Sequence, residues 1–188
     1  MPTTLSHPAP ALAMAAYFGR DRLSRSAVVA GVVCSALPDV DVLGFDFGIP
    51  YDGLFGHRGL THSFLFALVL AVVVAALVHV RDPGRSLGDV WLYLFLATAS
   101  HGVFDALTNG GRGIAFFAPF SSTRYFFPFR PIEVSPLSIT RFLSERGWLV
   151  LRSELCWVWL PSAALAGLAL LVRRATSNGF RKARQFVG

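Results

Sequence analysis

The chain is poor in charge. Aspartate, glutamate, lysine and arginine together make up 15% of its 188 residues, against about 25% in an ordinary soluble domain. A surface so short of charge does not suit a protein surrounded by water. Cysteine is nearly absent as well. Cys34 and Cys156 both lie in apolar stretches, so neither a disulfide framework nor a thiolate zinc site is expected, and both read as small hydrophobes. The first residues have no basic stretch ahead of their apolar segment, so no cleavable signal peptide is expected and targeting rests on the membrane segments themselves. No internal repeat or low-complexity segment is present. The length suits one domain over residues 1–188.

What the chain does have is hydrophobicity, at 54% of residues, and a net charge of +6 from 17 basic and 11 acidic side chains. The bases sit beside apolar runs, which suits the flanks of membrane helices better than nucleic-acid binding. The lipid bilayer is therefore the expected partner and no nucleic acid is expected; the oligomeric state is left open. Residues 63–80 form an apolar stretch at the length threshold for spanning a bilayer, closed by the polar turn Arg81-Asp82-Pro83-Gly84-Arg85. Residues 87–108 and 155–172 are further spans. Residues 27–37 form a weaker segment stopped by Pro38, and residues 10–18 a short helix packed against the others. The predicted architecture is all-α, a multi-pass membrane bundle of four to five helices, with an interfacial aromatic-basic loop over 109–147 and a basic cytoplasmic tail over 173–188.

Arginine placement orients these segments. Arg20, Arg22 and Arg25, then Arg81 and Arg85, then Arg173, Arg174, Arg181, Lys182 and Arg184 fall in three regions that an alternating path puts on the cytoplasmic side. Histidines and carboxylates played no part in that path. They nevertheless gather at the opposite end: His7 before the first segment, Asp39 and Asp41 after the second, His57 and His62 before the third, His101 and Asp105 late in the fourth, and Glu154 at the start of the fifth. His79 lies at the other end and reads as an ordinary interfacial residue.

The spacings carry chemistry. His101 and Asp105 are four apart, so one helix face presents both to a single ion, and a carboxylate within an apolar span calls for a cation or hydrogen bonds. Asp39 and Asp41 flank Val40 after Pro38; in extended backbone they would point the same way. Gly56-His57-Arg58-Gly59-Leu60-Thr61-His62 sets two histidines around a turn into a helix that Thr61 or Ser63 would cap. Taken singly, each has a plainer reading: a structural hydrogen bond for His101 and Asp105, a solvated turn for Asp39 and Asp41, a surface helix entry for His57, an interfacial acid for Glu154, a terminal residue for His7. Convergence in a charge-poor chain favours a site. Mixed imidazole and carboxylate donors suit zinc, manganese or iron rather than calcium. Between residues 110 and 136, phenylalanines and Tyr125 alternate with Arg112, Arg124 and Arg130, as a lid lying on the bilayer and holding phosphate would, or as an interfacial anchor alone. Glu133 in this loop would be an acid, a ligand or a partner of Arg130.

The motifs Leu37-Pro38-Asp39-Val40-Asp41, Gly56-His57-Arg58-Gly59-Leu60-Thr61-His62-Ser63 and Ser100-His101-x-x-x-Asp105-x-Leu107-Thr108 resemble the YdjM/YbcI family of bacterial inner-membrane proteins, described as membrane-bound metal-dependent hydrolases. His7 matches an early histidine of that family. The family is in turn distantly similar to zinc-dependent phospholipase C, whose His-x-x-x-Asp pair His101 and Asp105 match. The resemblance implies an inner-membrane hydrolase with one to three divalent ions, zinc foremost, held by His7, Asp39, Asp41, His57, His62, His101 and Asp105. Asp39 or Asp41 would be general base, Arg58, Arg112, Arg124 and Arg130 would hold substrate, and Glu133 and Glu154 are additional candidates. The expected substrate is a phosphoester in a lipid or lipid-linked molecule at the extracytoplasmic face. The alternatives are a non-catalytic metal protein (sensor, carrier or structural site) and, last, a transporter with a His101–Asp105 proton relay.

Overall fold

A computed structural model describes residues 1–136 and 138–185, the side chains of residues 139 and 177–185 excepted. Among the described residues the architecture is helical, with two isolated β-bridges and no strands. Seven α-helices follow in order: α1 (Pro8–Phe18), α2 (Arg25–Ala36), α3 (Phe64–Arg81), α4 (Leu87–Ala106), α5 (Ile139–Phe142), α6 (Glu145–Glu154) and α7 (Leu160–Gln185). Four stretches are long and apolar enough to cross a membrane: Arg25–Phe47, Phe64–Arg81, Leu87–Ala106 and Glu145–Thr176. α1 has 11 residues, about 16 Å of helix, and is too short to cross alone.

The ends of these elements follow from local chemistry. Ser24, Ser63, Ser86 and Ser144 each stand at an N-cap and accept from a backbone N–H of the first turn. Of the two capping candidates for α3, Ser63 takes the role and accepts from Phe66 N–H at 3.1 Å. The last span begins at Glu145 rather than near residue 155, because Ser144 caps it and Glu145 sits in its first turn. It continues through a π-helical turn, Leu155–Trp159, into α7. Of the basic tail predicted over 173–188, residues 173–185 extend α7, and the side chains from 177 onward lie outside the described residues.

α3 packs most extensively on α4. Ala67, Ala71 and Ala75 are buried at helical spacing along α3, small residues that let two backbones approach closely in lipid. The surrounding core joins Phe18, Leu23, Ala27, Cys34, Val90, Tyr93 and Leu94. Outward faces remain apolar: Val29, Val33, Val69, Val72 and Leu77 are all more than half exposed, as lipid contact requires.

The bundle has two chemically different ends. At one, Arg85 donates to the Asp21 carbonyl at 2.6 Å, Arg22 lies 3.8 Å from Asp89, and Arg173 donates to the Phe18 carbonyl at 3.0 Å. At the other, residues 109–136 fold back as a cap: Ile114 and Tyr125 exchange backbone hydrogen bonds, Phe64 N–H donates to the Phe116 carbonyl, and Phe127 N–H to that of Ala106. His7, Asp39, Asp41, His57, His62, His101 and Asp105 gather at this end.

Candidate metal centre

The residues after α2 take an unexpected form. Instead of extended backbone, Leu37–Phe47 winds as a 3₁₀ helix of 11 residues, with Pro38 in its first turn where no N–H is needed. Such runs rarely exceed four residues. The winding overturns the expectation that Asp39 and Asp41 point the same way: a 3₁₀ turn sends residues two apart to different sides. Asp39 joins His62, His101 and Asp105, whereas Asp41 joins His57 and His62.

The Gly56–His62 turn is held by close backbone approaches. A Cβ on Gly56 would stand 2.2 Å from the Pro50 carbonyl oxygen, and one on Gly59 would stand 2.4 Å from that of Leu54. Between them Arg58 adopts a left-handed conformation, φ 63°, a strained position for a non-glycine residue of the kind that clusters at functional sites. The turn sends His57 and His62 towards Asp41 and Arg58 towards Asp105. From α4, Gly102 lets the turn dock: a Cβ there would lie 2.9 Å from the His62 carbonyl.

Both central imidazoles have one nitrogen committed and the other free to face the cluster. His101 Nδ1 lies 2.8 Å from the Ser35 carbonyl oxygen, which only a protonated Nδ1 can satisfy. His62 Nδ1 lies 3.1 Å from Asp41 Oδ2. Their Nε2 atoms then meet at 3.1 Å. Around this point His101 Nε2 is 3.3 Å from Asp39 Oδ1, His62 Nε2 is 3.4 Å from Asp105 Oδ2, and His62 Nε2 is 3.9 Å from Asp39 Oδ1. Tetrahedral donors at roughly 2.0–2.1 Å from one ion stand about 3.4 Å from each other. Of the six donor pairs in the four-residue set, four lie at 3.1–3.9 Å, and all four donors lie within 4.8 Å of one another. The set is also buried, His101 and Asp105 completely.

Several atoms here have no hydrogen-bond partner: both nitrogens of His7, Asp39 Oδ1, and both oxygens of Asp105. Buried carboxylates are normally well supplied with donors, so the donor set fits a cation at the centre. His7 stacks on His101 with ring centroids 3.6 Å apart, and its Nε2 lies 3.7 Å from Asp105 Oδ1 and 3.9 Å from Asp39 Oδ2. Burial, with the neighbouring His101, lowers its pKa to about 3, which leaves it neutral. For His62, burial acts downward, but the flanking carboxylates of Asp105 and Asp41 outweigh it and raise the pKa to about 9.

Asp41 is fully engaged. It receives His57 Nδ1 at 2.6 Å on one oxygen, and the Arg58 N–H at 3.1 Å, the Thr61 hydroxyl at 2.6 Å and His62 on the other. Arg58 is 1% exposed; its Nε is 3.2 Å from Asp105, and it donates to the Gly110 carbonyl at 2.9 Å and to Thr108 at 3.1 Å. Arg124 donates to the carbonyls of His57 and Tyr51 and pins the cap. Arg112 pairs with exposed Asp52, and Arg130 lies over the Phe126 ring. Glu133 pairs with Arg146 at 2.8 Å. Glu154 accepts the Ser6 hydroxyl at 2.6 Å and the Thr3 hydroxyl at 2.7 Å, and so ties down the strand that carries His7. Sequence reasoning did not single out Thr4, which donates to Asp39 at 2.8 Å, or the carbonyl of Ser35. Backbone acceptors leave no residue-type signal; Thr4, three residues before His7, carried a faint one.

Comparison with known proteins agrees with the membrane architecture. The family described as YdjM inner membrane protein matches residues 1–177. Inner membrane protein YbcI of Escherichia coli (strain K12) is 37% identical over 174 residues, covering 93% of this chain and all of that protein. Uncharacterized protein YvsG of Bacillus subtilis (strain 168) is 32% identical over 111 residues, covering 55% of this chain and 64% of that one. No solved structure matches the chain significantly.

Proposed function

The chain belongs to the YdjM inner membrane protein family, and from that premise we propose that it is a membrane-bound, metal-dependent phosphoester hydrolase. The observation that carries this reading is the close gathering of two carboxylates and two imidazole nitrogens, in which Asp39 Oδ1 and both Asp105 oxygens lack a hydrogen bond. Asp39, His62, His101 and Asp105 would hold one divalent ion, zinc before manganese or iron, with His7 beside them. When bound, such an ion polarises a phosphoryl oxygen and acidifies water, which is the chemistry hydrolysis needs. Two ions would require His62 to offer both nitrogens, and Asp41 already occupies Nδ1, so the second group of three residues supports the first.

Each residue then has a task. Asp41 fixes the tautomer of His62, as a carboxylate behind a metal-binding histidine does. Ser35 does the same for His101 through its carbonyl. Arg58 offsets the charge of Asp105. Asp41 is fully engaged, so Asp39 would be the general base where the ion does not occupy it fully. Arg130, exposed on the cap, and Arg112, exposed and paired with Asp52, are the side chains proposed to meet phosphate oxygens. The substrate class is a lipid or lipid-linked phosphoester, since the site lies at one end of the spans under an aromatic cap. The extracytoplasmic face is favoured because Arg22, Arg85 and Arg173 gather at the other end. The distant likeness to zinc-dependent phospholipase C supports the same class.

A non-catalytic metal-holding role is the second reading, and the near-complete burial of all four donors favours it. The test is elemental analysis of detergent-purified wild type and His101→Ala, together with phosphate or headgroup release from phospholipid vesicles supplied with zinc or manganese. Metal near one equivalent in the wild type, lost in the variant, with turnover, supports the hydrolase. Metal without turnover supports the second reading. Negligible metal in both removes each of them.

A further inference from the structure

A cleft of about 550 Å³ is lined in part by Asp39, one of the four clustered donors. Its walls are apolar: Leu5, Val40, Val42, Leu43, Pro136 and Phe142. Thr3, Thr4 and Ser135 contribute hydroxyls to the lining, and Thr4 is bonded to Asp39. The volume is that of a pocket for one small-molecule moiety.

The position of the cleft decides what reaches it. Val40 and Leu43 belong to the span Arg25–Phe47 and are 53% and 56% exposed. Val29 and Val33 on the same span are exposed as well, so one wall of the cleft belongs to a stretch long and apolar enough to cross a membrane and rich in exposed apolar side chains. From above, by contrast, residues 109–136 cover the cluster, and Arg58, Thr108 and Arg124 hold that cover down. Asp39 Oδ1 is unpartnered, the residue is 8% exposed, and it is shared between the cleft and the four-donor set.

We infer that this cleft is a lateral entrance from the bilayer: it takes the apolar chain-bearing part of a phosphate lipid between Leu43, Val40 and Phe142 and delivers its phosphate to the centre at Asp39. Polar groups reach the lining from Thr3, Thr4, Asp39 and Ser135, but most of the wall is apolar, which suits a lipid better than a water-soluble phosphoester. A lipid finds both parts of itself matched, chain to Leu43 and phosphate to the cation. The inference rests on the metal-site reading given above, and its test does not depend on turnover.

The probe is a photoreactive benzoylphenylalanine placed at Leu43, in the cleft wall, or at Val73, which is 52% exposed on α3 and lies outside it. Full-length protein loaded with zinc is reconstituted in phosphatidylcholine vesicles doped with alkyne-tagged phosphatidic acid or with tagged diacylglycerol of the same chains. At Leu43 the phosphate lipid is expected to crosslink several-fold more than diacylglycerol, with the preference lost on chelation. At Val73 the two are expected to crosslink alike. A second variant, Val40→Trp, narrows the cleft without touching a donor; it should lower capture of the native chain's lipid at Leu43 while metal content stays unchanged. Equal crosslinking of both lipids at Leu43 in metal-loaded protein overturns the entrance, whether or not the protein hydrolyses anything. A preference at Leu43 without turnover keeps the entrance and sinks the hydrolase reading.

Discussion

Asp41→Asn separates a residue that binds an ion from one that aims its neighbour. In the structure Asp41 receives four donors, from His57, Arg58, Thr61 and His62. Asparagine in the same place keeps one acceptor oxygen. If that oxygen faces Arg58, Thr61 and His62, its NH₂ faces His57, which adapts by changing tautomer. Geometry largely survives and the charge is lost. Removing a carboxylate behind a metal-binding histidine typically costs 10–100-fold in metal affinity, about 1.4–2.7 kcal/mol. The metal-free fold loses on the order of 1.5–3 kcal/mol from a charged hydrogen-bond acceptor. Competition for zinc with a chromophoric chelator, in detergent near neutral pH, measures the first figure, and thermal unfolding follows the second. The expected result is weakened zinc binding at unchanged stoichiometry. Loss of binding altogether would make Asp41 a ligand, and unchanged affinity would show that it does not orient His62; either outcome refutes the assignment.

Three further expectations follow from the geometry. His62, with its pKa raised to about 9, must lose a proton to offer Nε2 to a cation, so zinc affinity should rise about tenfold per pH unit from 7 to 9 and flatten above; a flat profile across that range refutes it. In the metal-free protein the sign is opposite: the stabilisation from protonated His62 is complete below about 6.5 and is lost as pH rises through about 9, which unfolding curves under chelation would register. Gly102→Ala sets a methyl 2.9 Å from the His62 carbonyl and 3.2 Å from the Phe116 ring, so melting should show a loss of about 1–3 kcal/mol and zinc titration a weaker site. Glu154→Gln weakens the anchor of Thr3 and Ser6, and limited proteolysis should then cut the segment before α1 faster while zinc stoichiometry is retained.

Hydropathy and arginine placement made the spans and the gathering of His7, Asp39, His62, His101 and Asp105 legible in the sequence, because both signals follow from bilayer thickness and charge. His101 and Asp105 were readable as a pair since helical spacing alone brings them together. Other features depended on tertiary structure. The winding past Pro38 that separates Asp39 from Asp41 has no local signature, since a proline after an apolar run usually signals a stop. The inward turn of Arg58 rests on its left-handed backbone and on partners 47 to 52 positions away, Asp105, Thr108 and Gly110. Glu154 read as an interfacial acid because its partners, Thr3 and Ser6, lie at the far end of the chain.

The four-donor cluster also has a consequence for biosynthesis. Its members come from the turn after α2, the turn before α3, and the last part of α4. No shorter nascent chain contains it: the pocket closes only when α4 has entered the membrane alongside its two predecessors and Asp105 has left the translocation machinery. Until then Asp39 has Thr4 and His62 has Asp41 as partners, but the atoms that face the centre wait for His101 and Asp105. Completion of the third crossing therefore supplies the last two donors as well as adding a helix.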